Sequence, residues 1–118
     1  MAKQYDLEER TEMFAKKVRD FIKRLPKDLA NMEYCRHLIR ASGSVGANYI
    51  EANEALSKKD FLMRIKISRK EAKESRYWLW LIIPADGQTK EREHLIQEAT
   101  ELLMIFSAIL KKAQGGSA

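Results

Sequence analysis

The chain has 118 residues, of which 45% are hydrophobic and 33% charged, so it is long enough for one packed domain and too apolar for a disordered segment. Its formal net charge of +5 allows nucleic-acid binding without requiring it. The first ten residues lack an apolar core, and the longest apolar run, at 77–83, is far shorter than the roughly 20 residues that span a bilayer. A single cysteine, Cys35, suits a reducing compartment, and we expect a cytoplasmic protein.

The first two predicted helices precede residue 57. In the first helix, apolar side chains recur at alternating spacings of four and three, and this seam ends before the helix-breaking Pro26. The seam consists of Leu7, Thr11, Phe14, Val18, Phe21 and Leu25. The second helix is predicted to begin near Asn31, interpreted as its N-cap, and to run towards Leu56.

Two further helices follow. The third opens at Ser57 and Asp60, which resemble a capping box, and its seam contains Phe61, Ile65, Ser68, Ala72, Ser75, Leu79 and Ile82. After a turn at Pro84, the fourth carries Leu95, Ala99, Leu102, Phe106 and Ile109 or Leu110. Four helices with short connections predict an all-α fold, an antiparallel up-down four-helix bundle. We expect one domain over residues 1–113 and a flexible tail at 114–118.

The glycine-rich stretch RASGSVGANYIEANEA, at 40–55, has two interpretations. A phosphate-binding loop needs a preceding strand and a following Gly-Lys-Ser/Thr signature, and the sequence has neither. If the second and third helices are antiparallel neighbours, small residues lie opposite large or small ones, and two large residues rarely face each other. The facing pairs are Ala52 with Phe61, Asn48 with Ile65, Val45 with Ser68, Ala41 with Ala72, and Leu38 with Ser75. We therefore predict a continuous helix in which Gly43 and Gly46 permit close packing.

The same stretch resembles the second-helix motif of the bacterial four-helix-bundle family related to the ribosomal RNA intervening-sequence protein. The matching residues are Arg40, Ser44, Val45, Ala47, Asn48 and Glu51. The segment KKDFLMRIKISRKEAKES is similar to the family's third-helix opening, with Ser68 and Ala72 at its small positions. We expect Arg40, Ser44, Asn48 and Glu51 to act as a structural motif. Asn48 is expected to be hydrogen-bonded through Ser44 or Ser68.

The resemblance has functional implications. It implies a ring-forming bundle, usually a homopentamer, without known catalytic activity. A related branch, the accessory variability protein of diversity-generating retroelements, implies binding to a reverse transcriptase and to nucleic acid.

The third helix concentrates the positive charge of the chain. Residues 58–83 contain eight basic residues and three acids, a net charge of +5 that equals that of the whole protein. At about 100° per residue, most of these cations form a stripe away from the apolar seam. The cationic stripe and its flanks supply the candidate nucleic-acid-binding residues Lys59, Lys66, Arg69, Lys70, Lys73, Arg76 and Tyr77. Such a line suits a phosphate backbone with a base stacked at its end. The alternative is a solubilising face with acids from a neighbouring helix nearby.

The end of the third helix is apolar on every side over residues 77–83. A helix of a monomeric bundle needs only one apolar stripe, so the pattern predicts burial by a further surface. The candidate oligomer interface comprises Trp78, Trp80, Leu81 and Ile83. The alternative is a thick core covered by the turn at 84–90.

Neither a metal centre nor a catalytic site is predicted. Glu91 and His94 form one Glu-x-x-His unit of the di-iron type, but the other histidine, His37, has no glutamate three residues before it. We therefore expect no metal, no cofactor and no enzymatic activity. The predicted function is binding of nucleic acid, in particular structured RNA; the alternative is a protein-interaction scaffold with no direct nucleic-acid role.

Overall fold

The computed structural model describes residues 6–115, which form four helices and no strand. The helices are α1 (Leu7–Lys23), α2 (Leu29–Asn53), α3 (Lys58–Leu81) and α4 (Thr89–Ala113). Connections of four to seven residues reverse the chain between them, and α1 and α3 each pack on both α2 and α4. The predicted all-α four-helix fold is confirmed. None of these helices is long and apolar enough to cross a membrane. Of the flexible tail predicted at 114–118, residues 116–118 lie outside the described residues.

The predicted seams form a single core to which all four helices contribute. Its largest fully buried members are Phe14, Phe21, Phe106, Leu38, Ile65, Leu79, Ile82 and Leu102. Of the two alternatives at the end of α4, Leu110 is buried in the core and Ile109 packs against it while partly exposed. The agreement follows from the helical period, because residues three and four apart share one face.

The start of α2 differs from the prediction. Its N-cap is Asp28, whose Oδ1 accepts a hydrogen bond from the Asn31 N–H at 2.8 Å. Asn31 is only 1% exposed, and its amide nitrogen donates to the carbonyls of Pro26 at 3.1 Å and Ile83 at 2.9 Å. Its Oδ1 accepts from the Ile83 N–H at 3.0 Å. Asn31 therefore joins the α1–α2 connection to the end of α3, and its prediction as an N-cap was wrong.

Helix α2 ends earlier than the helical pattern suggested, so the α2–α3 connection is longer. Helix α2 ends at Asn53, and Leu56, in the connection, is fully exposed. Ser57 caps α3 as predicted, because its Oγ accepts from the Asp60 N–H at 3.1 Å.

Helix α2 continues without a break through the glycine-rich stretch, so these residues do not form a phosphate-binding loop. A methyl group added at Gly46 would lie 2.7 Å from Oγ1 of Thr11, whereas one added at Gly43 would have no neighbour within 4 Å. The close approach is therefore to α1 and involves only one of the two glycines. The predicted register with α3 holds at Val45, whose carbonyl accepts from Oγ of Ser68 at 2.9 Å.

This difference predicts opposite effects for two alanine substitutions. Gly43→Ala should stabilise the protein by up to about 1 kcal/mol, the helix-propensity gain of alanine over glycine. Gly46→Ala gains the same propensity but overpacks the α1–α2 contact, at a cost of roughly 1–3 kcal/mol, so it should be neutral to destabilising. Thr11 cannot easily yield, because it is buried and its hydroxyl donates to main-chain carbonyls of α1. Urea unfolding of both variants measures the difference, and equal stabilisation would contradict the close contact.

Candidate nucleic-acid interface

Most of the predicted nucleic-acid-binding residues come together in a groove between α3 and α4. Its α3 wall consists of Lys66, Arg69, Lys70, Lys73 and Arg76, and its α4 wall consists of Leu103, Met104 and Ser107. We call these eight residues the cationic groove. The three lysines are exposed, while the two arginines are partly buried nearer the bundle. The recurrence of basic residues at spacings of three and four places them on one side of α3.

No acid lines the cationic groove, and its cations lack ionic partners in the described part of the chain. All ion pairs among residues 6–115 use other cations, namely Arg10, Lys16, Arg19, Arg24 and Arg36. None of the basic residues of α3 takes part. The alternative interpretation, in which acids of a neighbouring helix neutralise this face, is therefore not supported by the packing.

Three of the four acids of α4 pair with cations of α1 and its C-cap instead. Arg10 donates to both carboxylate oxygens of Glu98, at 2.7 and 2.9 Å, and to Glu101 at 2.6 Å. These hydrogen bonds, chiefly those to Glu98, raise the pKa of Arg10. Arg24 makes a further bidentate pair with Glu91, with an Nη1–Oε1 distance of 2.9 Å. Because these carboxylates lie on the α1 side of α4, the α3 side keeps its positive potential.

Arg76 is held more firmly than the lysines of the groove. Its Nη1 donates to Oγ1 of Thr100 on α4 at 3.3 Å, and its guanidinium carbon lies 4.9 Å from the ring centroid of Trp80. Its Nε is buried and has no hydrogen-bond partner among the described residues. Arg76 thus marks one end of the cationic groove, where the charge meets an aromatic ring.

Two of the seven predicted residues lie outside the groove. Lys59 is exposed in the first turn of α3, beside a surface depression that it shares with Met63 and Lys66. Tyr77 is 51% exposed, and its ring contacts that of Trp78 edge-on, with centroids 5.1 Å apart. Both belong to the outer face of α3.

The four candidate interface residues at the end of α3 face different surroundings. Trp78 is partly buried and stacks on His37 of α2, with ring centroids 4.4 Å apart. Trp80 is 54% exposed and Ile83 65% exposed, so the turn at 84–90 does not cover them. Leu81 is partly buried. Their role as an oligomer interface stays a prediction.

The residues of the second-helix motif divide between the α2–α3 contact and the surface. Asn48 donates to the main-chain carbonyl of Ser44 at 2.9 Å, and its Oδ1 accepts from Nη1 of Arg64 at 2.9 Å. The serine therefore contributes its backbone, and Arg64 is a partner that the sequence did not indicate. Arg40 and Glu51 are exposed on the surface of α2.

The residues of the α4 wall of the groove were not predicted from the sequence. Met104 is 64% exposed, and Leu103 and Ser107 are partly buried beside it. The available signal was that Leu103 and Met104 follow the seam residue Leu102 directly, which makes the apolar surface of α4 wider than a seam. Residues 6–115 contain no group of three or more His, Cys, Asp or Glu side chains placed to hold a metal ion.

Comparison with known proteins identifies a family and similar solved structures. The sequence model of the 23S rRNA-intervening sequence protein family matches residues 3–108. A crystal structure of a protein with unknown function from the S23 ribosomal protein family, from Bacteroides thetaiotaomicron VPI-5482, superposes with a TM-score of 0.75. The two sequences are 30% identical over 90% of this chain and 99% of the other. A search of curated proteins gave no match.

Proposed function

The chain belongs to the 23S rRNA-intervening sequence protein family, as the motif at 40–55 predicted, and on this premise we propose that it is a non-catalytic protein that binds structured RNA through the cationic groove. The observation that carries this proposal is the set of five basic side chains lining the groove with no acid among them and no ion-pair partner in residues 6–115. Cations left free of internal partners are available to phosphates.

The size of the cationic surface suits several phosphates. From Lys59 to Arg76 the basic residues of α3 extend about 26 Å along the helix axis, at about 1.5 Å per residue. Contacts of this kind depend on charge and shape, and they carry little base specificity. We expect affinity for structured RNA of many sequences.

We also propose that the protein assembles into a ring-shaped homo-oligomer, a homopentamer by resemblance to the family. The exposed apolar side chains at the end of α3, Trp80 and Ile83, support self-association because large apolar residues at one place on a surface favour burial. In such a ring each copy adds its own groove, so contacts that are weak for one subunit gain from multivalency.

A second candidate function is a scaffold without a direct role in RNA binding. The same exposed residues favour it, since they could receive another protein in place of a further copy. The resemblance to the retroelement branch implies a reverse transcriptase as that partner. In the scaffold proposal the charge of α3 serves solubility alone.

A binding titration separates the two functions. We would follow the fluorescence anisotropy of a labelled structured RNA as protein is added at about 50 mM salt, where phosphate contacts are strong. Saturable binding supports the RNA-binding function. Absence of binding at this salt concentration overturns it and leaves the scaffold.

A further inference from the structure

We propose that the cationic groove receives an unpaired segment of the RNA, with Trp80 as a stacking platform for one base at its end. This inference rests on the proposed RNA binding and specifies which part of a structured RNA is bound. It assigns Trp80 to an RNA base and leaves Ile83 as the exposed apolar residue available for a subunit contact. It follows from the different chemistry of the two groove walls and from the position of Trp80.

The two walls of the groove suit the two sides of a single strand. The α3 wall carries the cations, whereas the α4 wall presents Leu103 and the exposed Met104. A duplex turns its phosphates outward and hides its base faces, so it has little to place against an apolar wall. An unpaired strand offers phosphates along one edge and base faces along the other. The groove therefore fits the single strand better.

Trp80 lies one helical turn beyond Arg76, the last residue of the α3 wall of the groove. The guanidinium of Arg76 lies over its ring, and about half of the side chain is exposed. Arg76 can thus meet the last phosphate while the indole meets the adjoining base. Such stacking tolerates any base, because every base has a π-face.

The other aromatic residues at this end of α3 are less suited to the role. Trp78 is already stacked on His37 against α2. Tyr77 is exposed, but its ring packs edge-on against that of Trp78, with centroids 5.1 Å apart, whereas the groove cation Arg76 lies over the ring of Trp80. Trp80 therefore combines exposure, an aromatic plane and contact with a groove cation.

The axial distance from Lys66 to Trp80 limits the length of the bound segment. Fourteen residues separate them, which corresponds to about 21 Å. This length accommodates a few nucleotides, at the low end of the roughly 4–16 nucleotides that single-strand-binding sites cover.

The test compares two labelled RNAs with the same number of nucleotides: a hairpin with an unpaired loop of about ten nucleotides, and a fully paired duplex. The wild-type protein should bind the hairpin at least about tenfold more tightly. Trp80→Ala should weaken hairpin binding roughly tenfold and leave duplex binding unchanged. Trp80→Phe should retain most of the affinity for the hairpin. Met13→Ala, which removes a similarly exposed apolar side chain from α1, outside the groove and away from the end of α3, is the matched control and should have no effect.

Three outcomes would overturn the inference in distinguishable ways. Equal affinity for both RNAs, unaffected by Trp80→Ala, would reject the unpaired segment and leave the proposed function intact. Absence of binding to either RNA would reject the proposed function itself. A smaller assembly of Trp80→Ala by light scattering, with equal loss of affinity for both RNAs, would show that Trp80 is a subunit contact.

Discussion

Replacing Lys66, Lys70 and Lys73 together by glutamate is expected to abolish RNA binding while leaving the fold intact. All three side chains are exposed and line the cationic groove, and none pairs with an acid within residues 6–115. Reversing the charge of these side chains replaces three attractive phosphate contacts by three repulsive ones. The affinity for RNA should therefore fall by at least ~100-fold at moderate salt. The thermal midpoint should change little, because exposed charges contribute little to stability.

A matched control separates this local effect from the loss of net charge. Lys17, Lys23 and Lys90 are also exposed but lie on α1 and α4, outside the groove. Their replacement by glutamate lowers the formal charge by the same six units, from +5 to −1. We expect at most a severalfold loss of affinity from this control. Equal losses in the two triple variants would mean that RNA responds to overall charge and that the groove is not the site.

Replacing Asn31 by alanine is expected to destabilise the fold far more than replacing an exposed asparagine. The change removes three side-chain hydrogen bonds and leaves the main-chain groups of Ile83 and the Pro26 carbonyl without their partner. At about 1 kcal/mol per bond, with a further penalty for buried groups left unpaired, the loss should be about 3 kcal/mol. Urea unfolding followed by circular dichroism measures it.

Asn53 provides the control for this prediction. It is exposed at the end of α2, and its side chain donates one hydrogen bond, to Glu8 at 2.8 Å. Asn53→Ala should change the free energy of unfolding by about 0.5 kcal/mol or less. If both asparagine variants lost the same small amount, the bridge from Asn31 to the end of α3 would not be stabilising.

The sequence predicted the helices and the position of the charge for the same physical reason. Burial of one face at the helical period determines which residues recur, so the seams of α1, α3 and α4 could be identified directly, from Phe14 to Phe106. The cations on the opposite side of α3 followed from the same geometry. The different exposure of Trp78 and Trp80 also follows from the helical geometry, because residues two apart in a helix point roughly 200° apart.

Features that depend on how the helices are arranged in space could not be predicted from the helical period of the sequence. The hydrogen bonds of Asn31 depend on the return of the chain at Ile83, which is 52 residues away. Gly46 contacts α1, although its sequence context favoured α3 as the partner. A seam indicates which side of α4 faces inward, but it does not tell which flank faces α3. For this reason Met104 was not recognised as part of the groove wall.

The salt dependence of RNA binding tests the central claim most directly. We would measure the association constant of the wild-type protein for a labelled structured RNA between about 50 and about 200 mM salt. If the five cations of the groove each contact a phosphate, the plot of log K against log salt should have a slope of about −3.5 for an unpaired strand. Where the Lys66, Lys70 and Lys73 triple variant retains measurable binding, its slope should be smaller in magnitude by about 2, at about 0.7 per lysine. A slope near zero, or the same slope in both proteins, would contradict recognition of RNA by the cationic groove.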